Sequence, residues 1–167
     1  GSDFTFGDVT LRKPKHDNHE LLGKTKFAGC LGVMKDVKRN KYTQKANIVA
    51  DCSTDGKEVY KLKSTANTAN WWYDHRISLI DAKTFADYRT EYFKGGKHIK
   101  TIDRSWASAN LDDPRASYWG YWYGKTNTTG HETMAFIPST ITKVNHKYKK
   151  KNLWSTTTLK KMPKKIK

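Results

Sequence analysis

The chain has 167 residues, enough for one ordinary domain or two very small ones. Its 32 Lys and Arg against 16 Asp and Glu give a net charge of +16, with 36% of residues apolar and 13% aromatic. No apolar run approaches the ~18 residues of a membrane-spanning helix, the ring content is too high for a chain that cannot repay its ordering entropy, and the length excludes a large α/β enzyme.

Residues 1–20 read as an N-terminal segment in which Gly1-Ser2 is a cloning remnant. Within it, Phe4–Leu11 alternates loosely and predicts a strand, while His16–Leu22 is polar and predicts a turn or a short helix. A β-domain is expected over residues 21–142. Ala46, Ile48, Ala50 and Cys52 share one face of a period-2 stretch. Asp55-Gly56 is a strong hairpin turn, and Val59, Tyr60 and Leu62 continue beyond it, so a hairpin is predicted over 46–63. Residues 82–93 support two readings. Phe85, Tyr88 and Tyr92 have helical spacing with Asp81 as a cap, but Ala82, Thr84, Ala86, Tyr88, Thr90 and Tyr92 also alternate with polar residues. Thr, Tyr and Phe favour pleated surfaces, so we take the strand, turning at Lys94-Gly95-Gly96-Lys97 into His98–Ile102. Ser117–Lys125 is a dense aromatic strand and Asn127–Gly130 a turn. Thr133–Thr142 is a further strand that Pro138 marks as an edge or a bulge. The fold class is therefore all-β, a small antiparallel barrel or sandwich, as one body or as two packed β-meander units.

A weak internal repeat supports the two-unit form. Residues 40–80 and 83–125 share one order: an aromatic start, a strand, a Gly-Lys turn, a strand, a small polar linker and a Trp-Tyr strand. A repeat of this size is commonly one supersecondary unit used twice, although any β-meander produces such a pattern. With its aromatic strands Trp71-Trp72-Tyr73 and Trp119-Gly120-Tyr121-Trp122-Tyr123, the order resembles the Src-homology-like and GW cell-wall modules of Gram-positive surface proteins. Tyr121 intervenes between Gly120 and Trp122, where those modules carry a Gly-Trp pair. Gly120–Gly124 followed by Met134-Ala135-Phe136 is similar to the opening strand of small secreted β-domains of lactic-acid bacteria. The resemblance implies a non-catalytic, exported domain that contacts an anionic wall polymer.

Cys30 and Cys52 are the only cysteines. They form either one disulfide or two buried thiols, and the basic, Thr- and Asn-rich composition favours the disulfide and a secreted or cell-surface location. The charge is uneven. Residues 141–167 hold ten Lys and no acid, so this stretch supplies +10 of the +16. The Lys-rich segment 143–167, with Lys147, Lys149, Lys150, Lys151, Lys160, Lys161, Lys164 and Lys165, suits diffuse contact with a polyanion. A solvated tail is the plainer alternative. Teichoic acid or a similar envelope glycan is the expected partner, with non-specific nucleic-acid contact beside it. The oligomeric state is left open.

Consecutive strand residues face opposite ways, so Trp71, Trp72 and Tyr73, like Trp119, Tyr121, Trp122 and Tyr123, cannot all point inward unless both faces of the sheet are covered. Exposed rings among them would stack on sugars or bases, which makes these seven the candidate ligand-binding residues. His75, Arg76, Glu91 and His98, with Arg104, supply the groups of a nuclease, namely a base and cations for a phosphoryl transition state. A small basic nuclease or nucleic-acid-binding protein is therefore the alternative function. His16 and His19 stand at i, i+3 beside Asp17 and Glu20, but no second ligand cluster accompanies them. No metal and no cofactor is assigned.

Overall fold

The computed structural model describes residues 1–9, 13–34, 37, 48–113, 115–138 and 155–157. The protein is all-β. Seven strands run in chain order: β1 (Asp17–Lys26), β2 (Glu58–Ala66), β3 (His75–Asp81), β4 (Asp87–Lys94), β5 (Lys97–Ser108), β6 (Ser117–Thr126) and β7 (His131–Phe136). They form one antiparallel meander in which each strand pairs with its sequence neighbour. The two halves compared in sequence are thus joined edge to edge in a single open sheet. No helix among the described residues is long and apolar enough to cross a membrane.

Local chemistry explains the elements. β4 alternates half-buried and buried residues along its length. Its turn into β5 consists of Gly95 and Gly96, with φ of 55° and 73°, the two left-handed positions that a tight hairpin requires. Several sequence expectations differ. The strand expected over 82–93 begins only at Asp87, because residues 82–84 form a turn, and Trp71-Trp72-Tyr73 lie in the connection before β3 rather than in a strand. Residues 4–9 are not a strand: Thr5-Phe6-Gly7-Asp8 starts the short helix α1 (Phe6–Val9), in which the Asp8 carboxylate accepts the Thr5 N–H at 2.7 Å, one half of a capping box. Residues 17–22 are part of β1 rather than a turn or helix. This edge strand is exposed along most of its length, so no alternation marks it. The hairpin over 46–63 is absent. Residues 45–47 lie outside the described residues and 48–52 are irregular. The Asp51 carboxylate accepts the Ser53 N–H and hydroxyl, a local turn that competes with a strand. Asp51 and Gly56 then bond to Leu31 and Phe27, and β2 pairs with β1 and β3 instead. β7 ends at Phe136, before Pro138, and residues 139–142 lie outside the described residues.

Register places side chains in rows across the sheet. One row runs His19, Ser64, Arg76, Tyr92, Lys100, Thr126, and the next Leu21, Leu62, Ser78, Thr90, Ile102, Gly124. These rows share a face, and a cavity on that face touches strands from β1 to β6, so the sheet curls around it. Register shifts between Leu21 and Gly23, Leu79 and Ile80, Tyr92 and Phe93, and Ser105 and Trp106 supply the bends.

Each face carries its own core. The convex face buries Val59, Tyr88, Tyr121 and Tyr123 under Phe27 and Leu31 of the β1–β2 connection. Arg89 donates to both Asp103 oxygens at 2.7 Å beneath it. One end of the concave face is closed by Tyr73, Tyr92 and Ile102, with Phe4, Trp71 and Trp72 packed against them. The N-terminal segment is built into the sheet: Asp3 accepts hydrogen bonds from Thr126 and Thr133 and pairs with His131.

Candidate ligand-binding site

The concave face holds a cavity of about 330 Å³, at the small end of the roughly 300–1,000 Å³ range of ligand pockets. Its wall is aromatic. The bulge at Ser105/Trp106 sets Trp106 opposite Trp119. Trp106 and Trp119 meet edge to face at 5.7 Å, and Trp119 lies 4.2 Å from Trp122. Leu62 and Ile80 continue the apolar lining across β2 and β3. The Trp106 indole N–H donates to the Asp87 carbonyl at 3.0 Å. The indole N–H groups of Trp119 and Trp122 are buried and have no acceptor among the described residues.

The floor is polar. Arg104 is only 6% exposed. Its Nη1 donates to Thr90 at 3.1 Å and pairs with Asp87 at 3.1 Å, and its guanidinium lies 5.2 Å from the Trp122 ring. Ser78 and Thr90 share a hydrogen bond of 3.4 Å. One row over, Arg76 donates through Nη2 to Asp17 at 3.2 Å. The buried Lys100 pairs with Asp8 at 2.7 Å, over the Trp72 ring. Burial pushes the Asp87 carboxyl up, opposed by the attraction of Arg104 and Arg76. Burial, and then Asp8, push the Tyr92 hydroxyl up. The site is thus a curled pocket with an indole wall and a floor of ion-paired arginines, able to enclose an apolar chain and to donate hydrogen bonds at its base. Among the described residues no group of three or more metal-ligating side chains is present. A larger crevice of about 390 Å³ lies on the convex face between residues 48–52 and β5–β7. It is a gap between a loop and the sheet, beside residues outside the described set, so the concave cavity is the candidate site.

The structure separates the sequence-predicted residues. Trp119 and Trp122 line the cavity, while Tyr121 and Tyr123 belong to the convex core. Trp71, Trp72 and Tyr73 pack in the plug at one end of the concave face. Arg76 points into the cavity. Its neighbour His75 stacks on Phe93, which stacks on His98, and Glu91 lies opposite Ile77 in the register, not with Arg76. Alternation therefore keeps Arg76 on the other face from His75 and Glu91, and the nuclease set does not assemble. His19 hydrogen-bonds Ser64 and the Pro14 carbonyl. Cys30 and Cys52 are joined as a disulfide. The eight candidate lysines from Lys147 to Lys165 lie outside the described residues. Sequence reasoning passed over Leu62, Ile80, Asp87, Thr90 and Trp106. The one available signal was the run Asp103-Arg104 inside an otherwise alternating strand, two charges on opposite faces that each need a buried partner.

No protein-family model matches the chain, and no curated protein matches it. Solved structures do. They include a putative outer membrane lipoprotein-sorting protein domain from Vibrio parahaemolyticus, with 15% identity over 83% of this chain and 49% of that chain and a TM-score of 0.56. A DUF1329 family protein from Desulfovibrio piger gives 13%, 83%, 49% and 0.54. A LolA superfamily protein from Nitrosomonas europaea gives 14%, 86%, 57% and 0.52. The chain spans about half the length of these proteins, and at such identities the likeness is one of fold. It overturns the resemblance to GW and Src-homology-like modules, because the fold neighbours are LolA-like and DUF1329 domains. The reading built on that resemblance, a cell-wall module gripping teichoic acid or another anionic glycan with nucleic acid as a second partner, is corrected with it. So is the nuclease alternative.

Proposed function

We propose that the chain is an exported domain that takes the apolar part of a lipid-like ligand into the concave face of its sheet. The observation that carries this reading is the cavity itself, with Trp106, Trp119 and Trp122 forming an indole wall continued by Leu62 and Ile80. The cavity is an open cleft whose remaining lining is polar, Arg76, Asp87, Thr90 and Arg104 among it, and an apolar wall facing convergent polar groups suits a ligand with an apolar body and a polar end. Support comes from fold neighbours described as an outer membrane lipoprotein-sorting domain and a LolA superfamily protein. Export is supported by the Cys30–Cys52 disulfide, a bond that persists in oxidising compartments.

The test is a titration with the fluorescent apolar probe N-phenylnaphthylamine, followed by probe emission and by energy transfer from the wall tryptophans. Saturable binding near one probe per chain is expected. Leu62→Trp, which adds bulk inside the cavity, should weaken it at least about tenfold while leaving the circular dichroism spectrum unchanged. Probe emission that rises without saturation, or is unmoved by Leu62→Trp, would count against the concave face as the site.

A further inference from the structure

The floor of the cavity is not what an apolar cargo alone needs. Arg104 is 94% shielded from solvent, and Arg76 lies two rows away on the same face, where both line the cavity and both act on the Asp87 carboxyl. Holding a charge in such a place costs several kcal/mol before its ion pair repays anything, so an apolar floor would serve a purely apolar ligand better. The hydrogen-bond inventory is also lopsided. Arg76 Nε, Trp119 Nε1 and Trp122 Nε1 are buried donors without an acceptor among the described residues, against one such acceptor on the cavity lining, Asp8 Oδ1. Buried donors rarely go unsatisfied. Among the described residues each guanidinium is also engaged through a single terminal nitrogen, Nη2 of Arg76 to Asp17 and Nη1 of Arg104 to Thr90 and Asp87. A guanidinium offers five N–H groups in a planar fork that matches a carboxylate.

We infer that the ligand is an anionic amphiphile, a long-chain carboxylate, whose head is held on the cavity floor by Arg76 and Arg104 while its alkyl chain lies along the indole wall. This rests on the proposal that the concave face binds a lipid-like molecule, and it adds the chemistry of the head. Asp17 and Asp87 hold the two guanidinium groups in place and compensate their charge in the empty site. The charge and fork geometry of the two guanidinium groups then select an anionic head over a neutral or cationic one.

The experiment compares three ligands of equal chain length below their micellar concentrations: dodecanoate, its methyl ester and dodecyltrimethylammonium. Binding is read by tryptophan quenching and by displacement of N-phenylnaphthylamine, at neutral pH and at salt high enough to screen the chain's overall charge. Dodecanoate should bind at least about tenfold more tightly than the ester, the factor that one charge-assisted hydrogen bond supplies, and the ammonium should bind more weakly than the ester. Arg76→Gln should bring dodecanoate down to the ester's affinity and leave the ester unchanged. Lys61→Gln, which removes the same charge from the other face, should alter neither. Equal affinity for all three ligands overturns the inference and leaves an apolar site intact, whereas no saturable binding of any ligand overturns the site itself. If Arg76→Gln fails to fold, the ratio of dodecanoate to ester on the unaltered protein decides.

Discussion

Asp81 ends β3 and holds the turn into β4 by accepting from the N–H groups of Lys83 and Thr84, the Thr84 hydroxyl and the Tyr88 hydroxyl. The turn needs that grip, because Phe85 sits within it at a φ of 60°, a left-handed conformation that costs a non-glycine residue roughly 1–2 kcal/mol. Burial alone would raise the Asp81 carboxyl, yet the bonds from Thr84, Tyr88 and Lys83 outweigh it and hold the group below the usual carboxylate range. A carboxyl depressed in the folded state stabilises fully above its unfolded value near 4, and that stabilisation is lost as pH falls through the lower folded value. Asp81→Ala should therefore cost about 1–3 kcal/mol at neutral pH. Asp81→Asn should keep much of the geometry but unfold less steeply with acid. Chemical denaturation from neutral pH down to pH ~3 checks both, and parallel acid limbs for Asp81→Asn and the unaltered protein would contradict the role. Single residues were partly legible in the sequence. Arg76 and Arg104 stand out as cations inside strands, but no residue pattern announces which face of the sheet curls into a cavity, and alternation sets Arg76 on the opposite face from its neighbour His75. The grouping of Arg76 with His75 therefore failed on a one-residue alternation.

The β1–β2 connection shows how an element without regular structure fixes a regular one. Phe27 and Leu31 are each 1% exposed against the convex face, and between that face and the chain Gly32 gives its N–H to Asp103 at 2.7 Å. A Cβ on Gly32 would stand 2.4 Å from two atoms of the Tyr123 ring. Tyr123 is itself held by Glu132, and Asp103 by its two bonds to Arg89, so neither side has room to yield. Gly32→Ala should destabilise the protein by about 1–3 kcal/mol, a loss visible as a lower denaturation midpoint with an unchanged slope. A midpoint within error of the unaltered protein would mean that the ring swings aside freely. Elements differ in how openly the sequence announces them. The β4–β5 hairpin is legible because buried and half-buried residues alternate along β4 and its Gly-Gly turn has a single use. β6 is legible because its rings are dense. β1 is not, because an exposed edge strand is placed by backbone pairing to β2 rather than by apolar alternation. Residues 48–52 mislead in the opposite sense: they alternate like a strand but spend their hydrogen bonds on a local turn and on the 27–31 segment.

At the scale of the whole molecule, composition advertises charge and rings, and the sheet divides them between its two faces. The ten lysines of residues 141–167 lie outside the described residues, while the charges that shape the site are a few paired side chains on one face of the sheet. Rings adjacent in sequence, Tyr121 and Trp122, serve opposite faces, one in the core and one in the cavity. What makes a pocket of one face is curvature, set by irregularities in four strand pairings, and curvature has no signature in composition. An open meander that curls around unfilled space leaves its concave side less supported than its convex one, where the 27–34 segment is seated. Occupying that space should therefore stabilise the fold as a whole. A ligand that binds only the folded chain adds about 2.7 kcal/mol when present at a hundred times its dissociation constant, which for a protein of this size raises the melting temperature on the order of 5–10 °C. Dodecanoate below its micellar concentration should produce a rise of that order, tracking its occupancy in the fluorescence titration. Leu62→Trp, with bulk placed where the ligand would lie, should lose most of the rise. A fall in melting temperature with dodecanoate would mean that the amphiphile prefers the unfolded chain and that the concave face is not its binding site.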